Sequence, residues 1–117
     1  MSAKKVEAKS KGAVVRAAKL LNVVAYQKGA VVSKEIVRSR KGTISVFALD
    51  KGQGLSEHTA PFDAFVYIVD GCAAISINKK PFRLKKGDML VLPAGKPHAL
   101  KANVRFKMLL TMIRSRK

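Results

Sequence analysis

The chain has 117 residues, the length of one domain, and 48% of them are hydrophobic, as in an ordinary globular protein. The 24 Lys and Arg residues outweigh 7 Asp and Glu to give a formal net charge of +17, and the single cysteine excludes an intramolecular disulfide and a thiolate metal cluster. The apolar runs are too short to cross a bilayer, so we expect no membrane partner. Because the N-terminus lacks the apolar segment of a secretory signal, the expected location is cytoplasmic.

Basic residues are spread along the chain and are densest at its two ends. We therefore expect residues 1–12 to form a flexible basic tail, residues 13–113 to form the folded domain, and residues 114–117 to form a second basic tail. A charge of +17 attracts phosphates and nucleic acid whatever the fold. The aromatic residues lie in apolar runs rather than among the basic ones, so no base-stacking platform is visible. Nucleic-acid binding is thus predicted from charge only, and a solvated cationic surface is the favoured interpretation.

The predicted elements of the domain are short and almost all extended. Residues 13–21 are compatible with a strand or with one helical turn, and the rest of the chain alternates β-branched or apolar runs with turn signals. The predicted strands are residues 31–38, 43–49, 65–69, 73–77, 82–84, 89–92, 98–102 and 106–113. Asp70 and Gly71 form a dipeptide typical of a hairpin turn. This pattern predicts a β-sandwich or barrel, and a chain this small protects its strand edges by closing the barrel or by pairing with a second copy. We expect a homodimer in which the N-terminal strands complete the sheet.

Two segments contain the only two histidines of the chain, His58 and His98. Each histidine lies in a β pattern interrupted by glycine and proline. The glycines and the proline of the two segments are Gly52 and Gly71 around the first histidine, and Gly87, Pro93 and Gly95 before the second. The two segments follow one another at a short interval, so we treat them as two parts of one pattern.

This pattern resembles the two motifs of a small single-domain cupin of the cupin 2 conserved-barrel type. The first motif of that family is glycine, His-x-His, glutamate and glycine, and the second is glycine, Pro-x-Gly, histidine and asparagine. The glycines, the proline and the two histidines of this chain match, whereas Ala102 stands where the asparagine is expected and Asn103 follows it. The resemblance covers about residues 30–113. It implies an all-β fold, the double-stranded β-helix or cupin jelly-roll barrel.

The resemblance also implies a metal site in the mouth of the barrel, usually held by three histidines and one glutamate. In this chain Ala60 and Ala64 occupy two of the four ligand positions, so that His58 and His98 are the two that remain. Two imidazoles hold a divalent ion weakly, with water or substrate completing the coordination shell. No cofactor is therefore assigned, and a weakly bound Zn, Mn, Fe or Ni ion at His58 and His98 is the candidate.

The side chains next to the missing ligand positions do not replace them. Strand alternation directs Glu57 and Asp63 away from the interior. Tyr67 shares the parity of Asp63, which favours a core or dimer-facing role over a pocket role. Phe62 lies beside the expected mouth, where simple packing is favoured over gating.

The last predicted strand places Phe106, Met108, Leu110 and Met112 on one face. Such a stripe is usually core, although flexible methionines also line adaptable apolar pockets. The predicted ligand pocket is lined by His58, Ala60, Ala64, His98 and Met108.

Three functions remain open at this point. The leading hypothesis is a small cupin-domain protein that binds a small molecule in the barrel, with a reduced or absent metal site. The second is a metal-dependent enzyme of the dioxygenase, isomerase or decarboxylase kind that uses His58 and His98. The third is polyanion or nucleic-acid binding through the positive charge. No catalytic residue is assigned, and the sequence leaves open whether the protein is an enzyme.

Overall fold

The computed structural model describes residues 6–10 and 13–114. Strands dominate this part of the chain, and its one helical segment is a 3-10 turn at Leu20–Asn22. The strands are β1 (Val6–Ser10), β2 (Ala13–Ala17), β3 (Val31–Ser39), β4 (Gly42–Leu49), β5 (Gly54–His58), β6 (Phe62–Ile77), β7 (Lys80–Lys85), β8 (Met89–Leu92), β9 (His98–Lys101) and β10 (Phe106–Arg114). The predicted all-β class is therefore confirmed.

The long strand β6 lies at the centre of the main sheet. Strands β3, β4, β10, β6, β9 and β5 are hydrogen-bonded in that order, and β7 and β8 also pair with β6. The first half of β6 pairs with β10 and β8, whereas its second half pairs with β9 and β7. All of these pairings are antiparallel. The sheet consequently curls into two layers that share β6 and enclose the core.

The core between the two layers consists of apolar side chains from β4 and from every strand from β6 to β10. The largest fully buried members are Leu49, Val66, Ile68, Ile75, Phe106 and Met108. Burial of each such side chain contributes about 1.5–3 kcal/mol relative to exposure. These strands therefore hold the walls of the barrel in fixed positions.

A β-bulge near the middle of β6 replaces the turn that Asp70 and Gly71 predict. Lys107 of β10 pairs with Asp70, whereas the next residue, Met108, pairs with Ile68, so that one residue of β6 is left between them. Gly71 has a φ of +77°, a conformation that glycine adopts readily in both turns and bulges. The prediction of a turn is wrong because pairing with β10 continues the strand through this conformation.

The N-terminal region differs in part from the predicted tail. Residues 13–21, predicted as a strand or one helical turn, contain both, because β2 ends at Ala17 and the 3-10 turn begins at Leu20. β1 lies inside the predicted tail of residues 1–12 and pairs with the backbone of β2, so this tail contains a strand. β10 likewise includes Arg114, the first residue of the second predicted tail. The other tail residues, 1–5, 11–12 and 115–117, lie outside the described residues.

The segment after the 3-10 turn covers the outer face of β4 and β10. Val24 is buried against this face. The Tyr26 hydroxyl donates a hydrogen bond of 2.7 Å to Asp70, and the Lys107 ammonium donates one of 2.7 Å to the Leu21 carbonyl. Burial, followed by the bond to Asp70, raises the pKa of Tyr26 well above its ordinary value, so the hydroxyl remains a donor. These bonds attach the N-terminal segment to the outside of the barrel.

The bulge in β6 yields a stability prediction with a matched control. A methyl group at Gly71 would overlap the Arg105 carbonyl oxygen and lie 2.9 Å from the Phe106 Cα, whereas one at Gly87 would meet nothing within 4 Å. Both glycines have positive φ, +77° and +93°. We expect Gly87→Ala to lower the free energy of unfolding by about 1 kcal/mol through backbone strain, and Gly71→Ala by about 3 kcal/mol because the backbone of β10 must also shift. Urea unfolding measures both, and equal losses would contradict the bulge.

Candidate ligand site between two histidines

The pairing of β5 with β9 places the two histidines directly opposite each other. His58 is the last residue of β5, His98 is the first of β9, and the two are Cα partners. Their rings meet edge to face, with the centroids 4.4 Å apart and the planes inclined by 71°. His98 is 7% exposed, whereas His58 lies at the open side of the pair. The structure thus brings together the two residues that the sequence singled out.

The turn before β9 fixes the position of His98. Gly95 has a φ of +79°, and its amide donates a hydrogen bond of 2.9 Å to the Ala60 carbonyl. The Asn78 amide bonds the Pro97 carbonyl at 2.8 Å. These bonds connect the glycine- and proline-containing turn to the segment after β5 and to the end of β6. The second sequence motif is therefore mainly a scaffold that presents His98 to His58.

The hydrogen bonds of the two rings determine which nitrogen carries the proton. The Nδ1 atom of His58 lies 2.7 Å from the Ser56 carbonyl oxygen, and that of His98 lies 3.2 Å from the Lys96 carbonyl oxygen. Because a carbonyl oxygen only accepts, the neutral form of each ring carries its proton on Nδ1. Both Nε2 atoms then hold a free lone pair. Each can accept a hydrogen bond or coordinate a cation.

His98 is held in its neutral form by its surroundings. Burial is the main cause that lowers the pKa of His98 below its ordinary value, and the charge of His58 lowers it further. The Lys96 carbonyl opposes this effect by favouring the protonated ring. The net result is an uncharged imidazole at neutral pH.

The two rings form one side of an apolar cavity of about 60 Å³, which has room for a few water molecules. All five residues of the predicted pocket line it: His58, Ala60, Ala64, His98 and Met108. Leu55, Phe62, Val66, Leu92, Leu100, Leu110 and Met112 complete the wall. The imidazoles are the only polar side chains among these residues. Three of the four residues in the predicted C-terminal stripe contribute to the cavity, while Phe106 packs in the core.

The acidic neighbours are directed to other partners, as strand alternation predicted. Glu57 lies 3.4 Å from the Lys79 ammonium, and Asp63 accepts a hydrogen bond of 2.9 Å from the Ala94 amide. Neither carboxylate lines the cavity. Ala60 and Ala64 contribute only methyl groups. The described residues contain no group of three or more His, Cys, Asp or Glu side chains that could hold a metal ion. The donor set therefore does not fit a site with three histidines and one glutamate.

A second cavity, of about 460 Å³, adjoins the first and was not found from the sequence. It is lined by Arg38, Ser39, Arg40, Gly42, Thr43, Phe62, Met112 and Arg114, so Phe62 and Met112 belong to both walls. We call this second cavity the vestibule. The sequence shows basic residues in the β3–β4 turn and at the end of β10, but no local signal says that they meet. Pairing of β4 with β10 brings them together, with the Arg114 amide bonded to the Lys41 carbonyl at 2.8 Å.

No helix of the described residues is long and apolar enough to span a membrane.

Comparisons with known proteins agree with this architecture. A conserved protein of unknown function from Streptococcus pyogenes has a similar structure, with a TM-score of 0.83 and 32% identity over 100% of this chain and 97% of that chain. A cupin 2 conserved barrel domain protein from Leptotrichia buccalis has a TM-score of 0.80 and 39% identity over 89% of this chain and 49% of its own. An uncharacterized protein of Streptomyces coelicolor is 28% identical over 64 residues, which are 55% of this chain and span about three fifths, 61%, of that relative.

The sequence profile of the cupin domain family matches residues 45–113. This match includes both histidines, the whole of β6 and nearly all of β10. The chain therefore belongs to the cupin domain family, and its fold is a cupin barrel.

Proposed function

We propose that this protein binds a small organic molecule in the cupin barrel, at the cavity between His58 and His98, with no complete metal site. The observation that carries the proposal is the pairing of two imidazoles with free Nε2 atoms at one side of an otherwise apolar cavity. An apolar pocket with a few convergent polar groups is the usual form of a small-molecule site. The neutral His98 ring favours a ligand that presents a hydroxyl or amide donor.

The metal-dependent enzyme remains the alternative. Its support is the bond from each Nδ1 to a backbone carbonyl, since metal-binding histidines commonly donate their second ring proton in this way. Water or substrate would have to supply the other ligands, because Ala60 and Ala64 provide none. We assign no catalytic residue.

The predicted partners stay predictions. A homodimer is supported by large apolar side chains exposed on β8, where Met89 and Val91 are 49% and 47% exposed beside Phe65 and Tyr67. Binding of nucleic acid is supported by the net charge of +17. The described residues contribute no base-stacking site that we identify.

The ligand proposal is tested by filling the cavity. Phenol, which is apolar and carries one hydroxyl donor, is the probe. Its ring is larger than the cavity, so its binding requires the flexible Met108 and Met112 side chains to move aside, and the methyl resonance of Met108 reports on this binding by NMR. We expect phenol to shift this resonance with a dissociation constant of about a millimolar, and Ala64→Leu to abolish the shift because the larger side chain fills the cavity. Met89 lies on the outer face and serves as an internal reference.

Two further variants complete that experiment. Ala74→Leu adds the same bulk to the part of β6 that lines a groove outside the two-histidine cavity, so it is expected to leave phenol binding unchanged. If Ala64→Leu does not fold, Ala60→Leu tests the same cavity from the segment after β5. A Met108 resonance that phenol never moves in the native protein, or moves equally in Ala64→Leu, would refute binding in the cavity.

Metal content separates the proposal from its alternative. We expect protein prepared without a histidine tag to contain substoichiometric Zn, Mn, Fe and Ni by elemental analysis, because two imidazoles form a weak, exchangeable site. Added Zn²⁺ should bind weakly, and His58→Ala and His98→Ala should each remove this binding. Stoichiometric metal that disappears in both variants would instead establish the metal-dependent alternative.

The lowered pKa of His98 predicts how stability depends on pH. In the unfolded chain His98 titrates near the ordinary value of about 6.5. As the pH falls, the unfolded state therefore takes up this proton before the folded state does, and the free energy of unfolding decreases below about pH 6.5 until it levels off beneath the folded-state pKa. His98→Gln should remove this component, whereas His58→Gln should retain a weaker one. Urea unfolding as a function of pH measures it, and identical profiles for the native protein and His98→Gln would disprove the assignment.

A further inference from the structure

The vestibule beside the histidine cavity has an unusual concentration of positive charge. Its wall contains three guanidinium groups, from Arg38 and Arg40 on the β3–β4 hairpin and from Arg114 at the end of β10, and no carboxylate. Glu35 pairs with Arg38 at 3.0 Å on the exposed side of the hairpin. Among the described residues, neither Arg40 nor Arg114 forms an ion pair with an acidic side chain. Within the part of the chain that the structure describes, the vestibule is therefore a cationic recess in which Arg38 alone of the three arginines has an acidic partner.

Arg114 is held in place at this recess rather than left free in solvent. Its Nε donates a hydrogen bond of 2.7 Å to the Arg40 carbonyl, and its guanidinium carbon lies 5.9 Å from the centre of the Phe62 ring. The terminal nitrogens of this side chain are not used by that bond. Because a guanidinium presents donors in a fork that matches the two oxygens of a carboxylate or phosphate, an oriented arginine is suited to an anionic group.

A buried hydroxyl in the same wall also lacks a partner. The Oγ1 atom of Thr43 is buried and makes no hydrogen bond, although such a group usually has one because an unmade bond costs about 1–3 kcal/mol. Thr43 is next to Met112 in the pairing of β4 with β10. Because this atom is closed off from solvent, it offers no contact to a ligand in the vestibule, and the anion site rests on the arginines.

The vestibule and the histidine cavity are neighbours with a common wall. Phe62 and Met112 line both, and Arg114 lies over the ring of Phe62. An anionic group among the arginines would therefore be separated from the histidine cavity only by the side chains of Phe62 and Met112. Flexible Met112 and the aromatic ring of Phe62 suit contact with an apolar body.

We infer that the ligand of the barrel is a small organic anion, whose carboxylate or phosphate lies among Arg38, Arg40 and Arg114 and whose apolar body passes Phe62 and Met112 toward the histidines. The position of the apolar body rests on the proposed function. The position of the anionic group rests on the vestibule alone.

The test compares probes of the same shape and different charge. Benzoate and phenyl phosphate carry an anionic group on a phenyl ring, whereas benzamide is neutral and closely matches benzoate. The methyl resonance of Met112 reports on the common wall, that of Met108 on the histidine cavity, and that of Met89 on the outer face. We expect both anions to shift Met112 without shifting Met89, and benzoate to bind about tenfold more tightly than benzamide.

Variants that remove charge test whether Arg38 and Arg40 contribute to anion binding. The double variant Arg38→Gln, Arg40→Gln should weaken benzoate binding severalfold, toward but not down to the affinity of benzamide, because Arg114 remains. Arg83→Gln removes a charge from exposed β7 and should change benzoate binding less than about twofold. Arg114 is left intact because it also bonds the hairpin. Unchanged melting temperatures verify folding.

The outcomes separate this inference from the proposed function. Equal binding of benzoate and benzamide, or equal losses in the double variant and Arg83→Gln, would overturn the anion site even if both probes shift Met108. Anion-dependent shifts of Met112 without any response of Met108 to phenol or benzoate would sustain the vestibule and refute binding in the histidine cavity. A Met112 resonance that neither anion moves would also overturn the inference.

Discussion

The change of face in β6 is the constraint on which the rest of the structure depends. Before the bulge, Ala64, Val66 and Ile68 are buried, whereas after it the buried residues are Ala73 and Ile75. Side chains alternate strictly along a strand, so a regular β6 would turn the apolar side of its second half toward solvent. The extra residue at the bulge, with the positive φ of Gly71, corrects the parity and lets a single strand serve both layers.

The site exists because these two layers face each other. Ala64 is in the first half of β6, which pairs with Met112 of β10. His98 pairs with Ile77 at the other end of β6, and His58 reaches it through β9. The cavity therefore draws its walls from residues far apart along the chain. Ala60 and Ala64 stand where the family has two further ligands. Because they contribute only methyl groups, the two histidines are the polar side chains of an otherwise apolar wall.

The two neighbouring cavities differ in charge: burial keeps a histidine neutral in one, and arginines make the other cationic. In the inner one, desolvation keeps His98 neutral, so its Nε2 is an acceptor at neutral pH. In the vestibule, the guanidinium groups of the arginines supply permanent positive charge. The histidine cavity thus presents hydrogen-bond acceptors in an apolar wall, whereas the vestibule presents cationic hydrogen-bond donors. Phe62 and Met112 separate them.

The sequence by itself determined the all-β class, which follows from local periodicity and turn residues. Its resemblance to the cupin motifs implied that His58 and His98 belong to one site and that Ala60 and Ala64 replace one histidine and the glutamate. Parity placed Glu57 and Asp63 outside the cavity, and the structure agrees. Only the tertiary structure decided that Asp70 and Gly71 continue the strand next to a bulge at Val69 rather than form a turn, since a glycine at positive φ suits both and pairing with β10 selects between them. The vestibule is likewise a tertiary property. Arg40 and Arg114 are distant in sequence, and the register of β4 against β10 brings the Arg114 guanidinium within hydrogen-bonding distance of the Arg40 carbonyl.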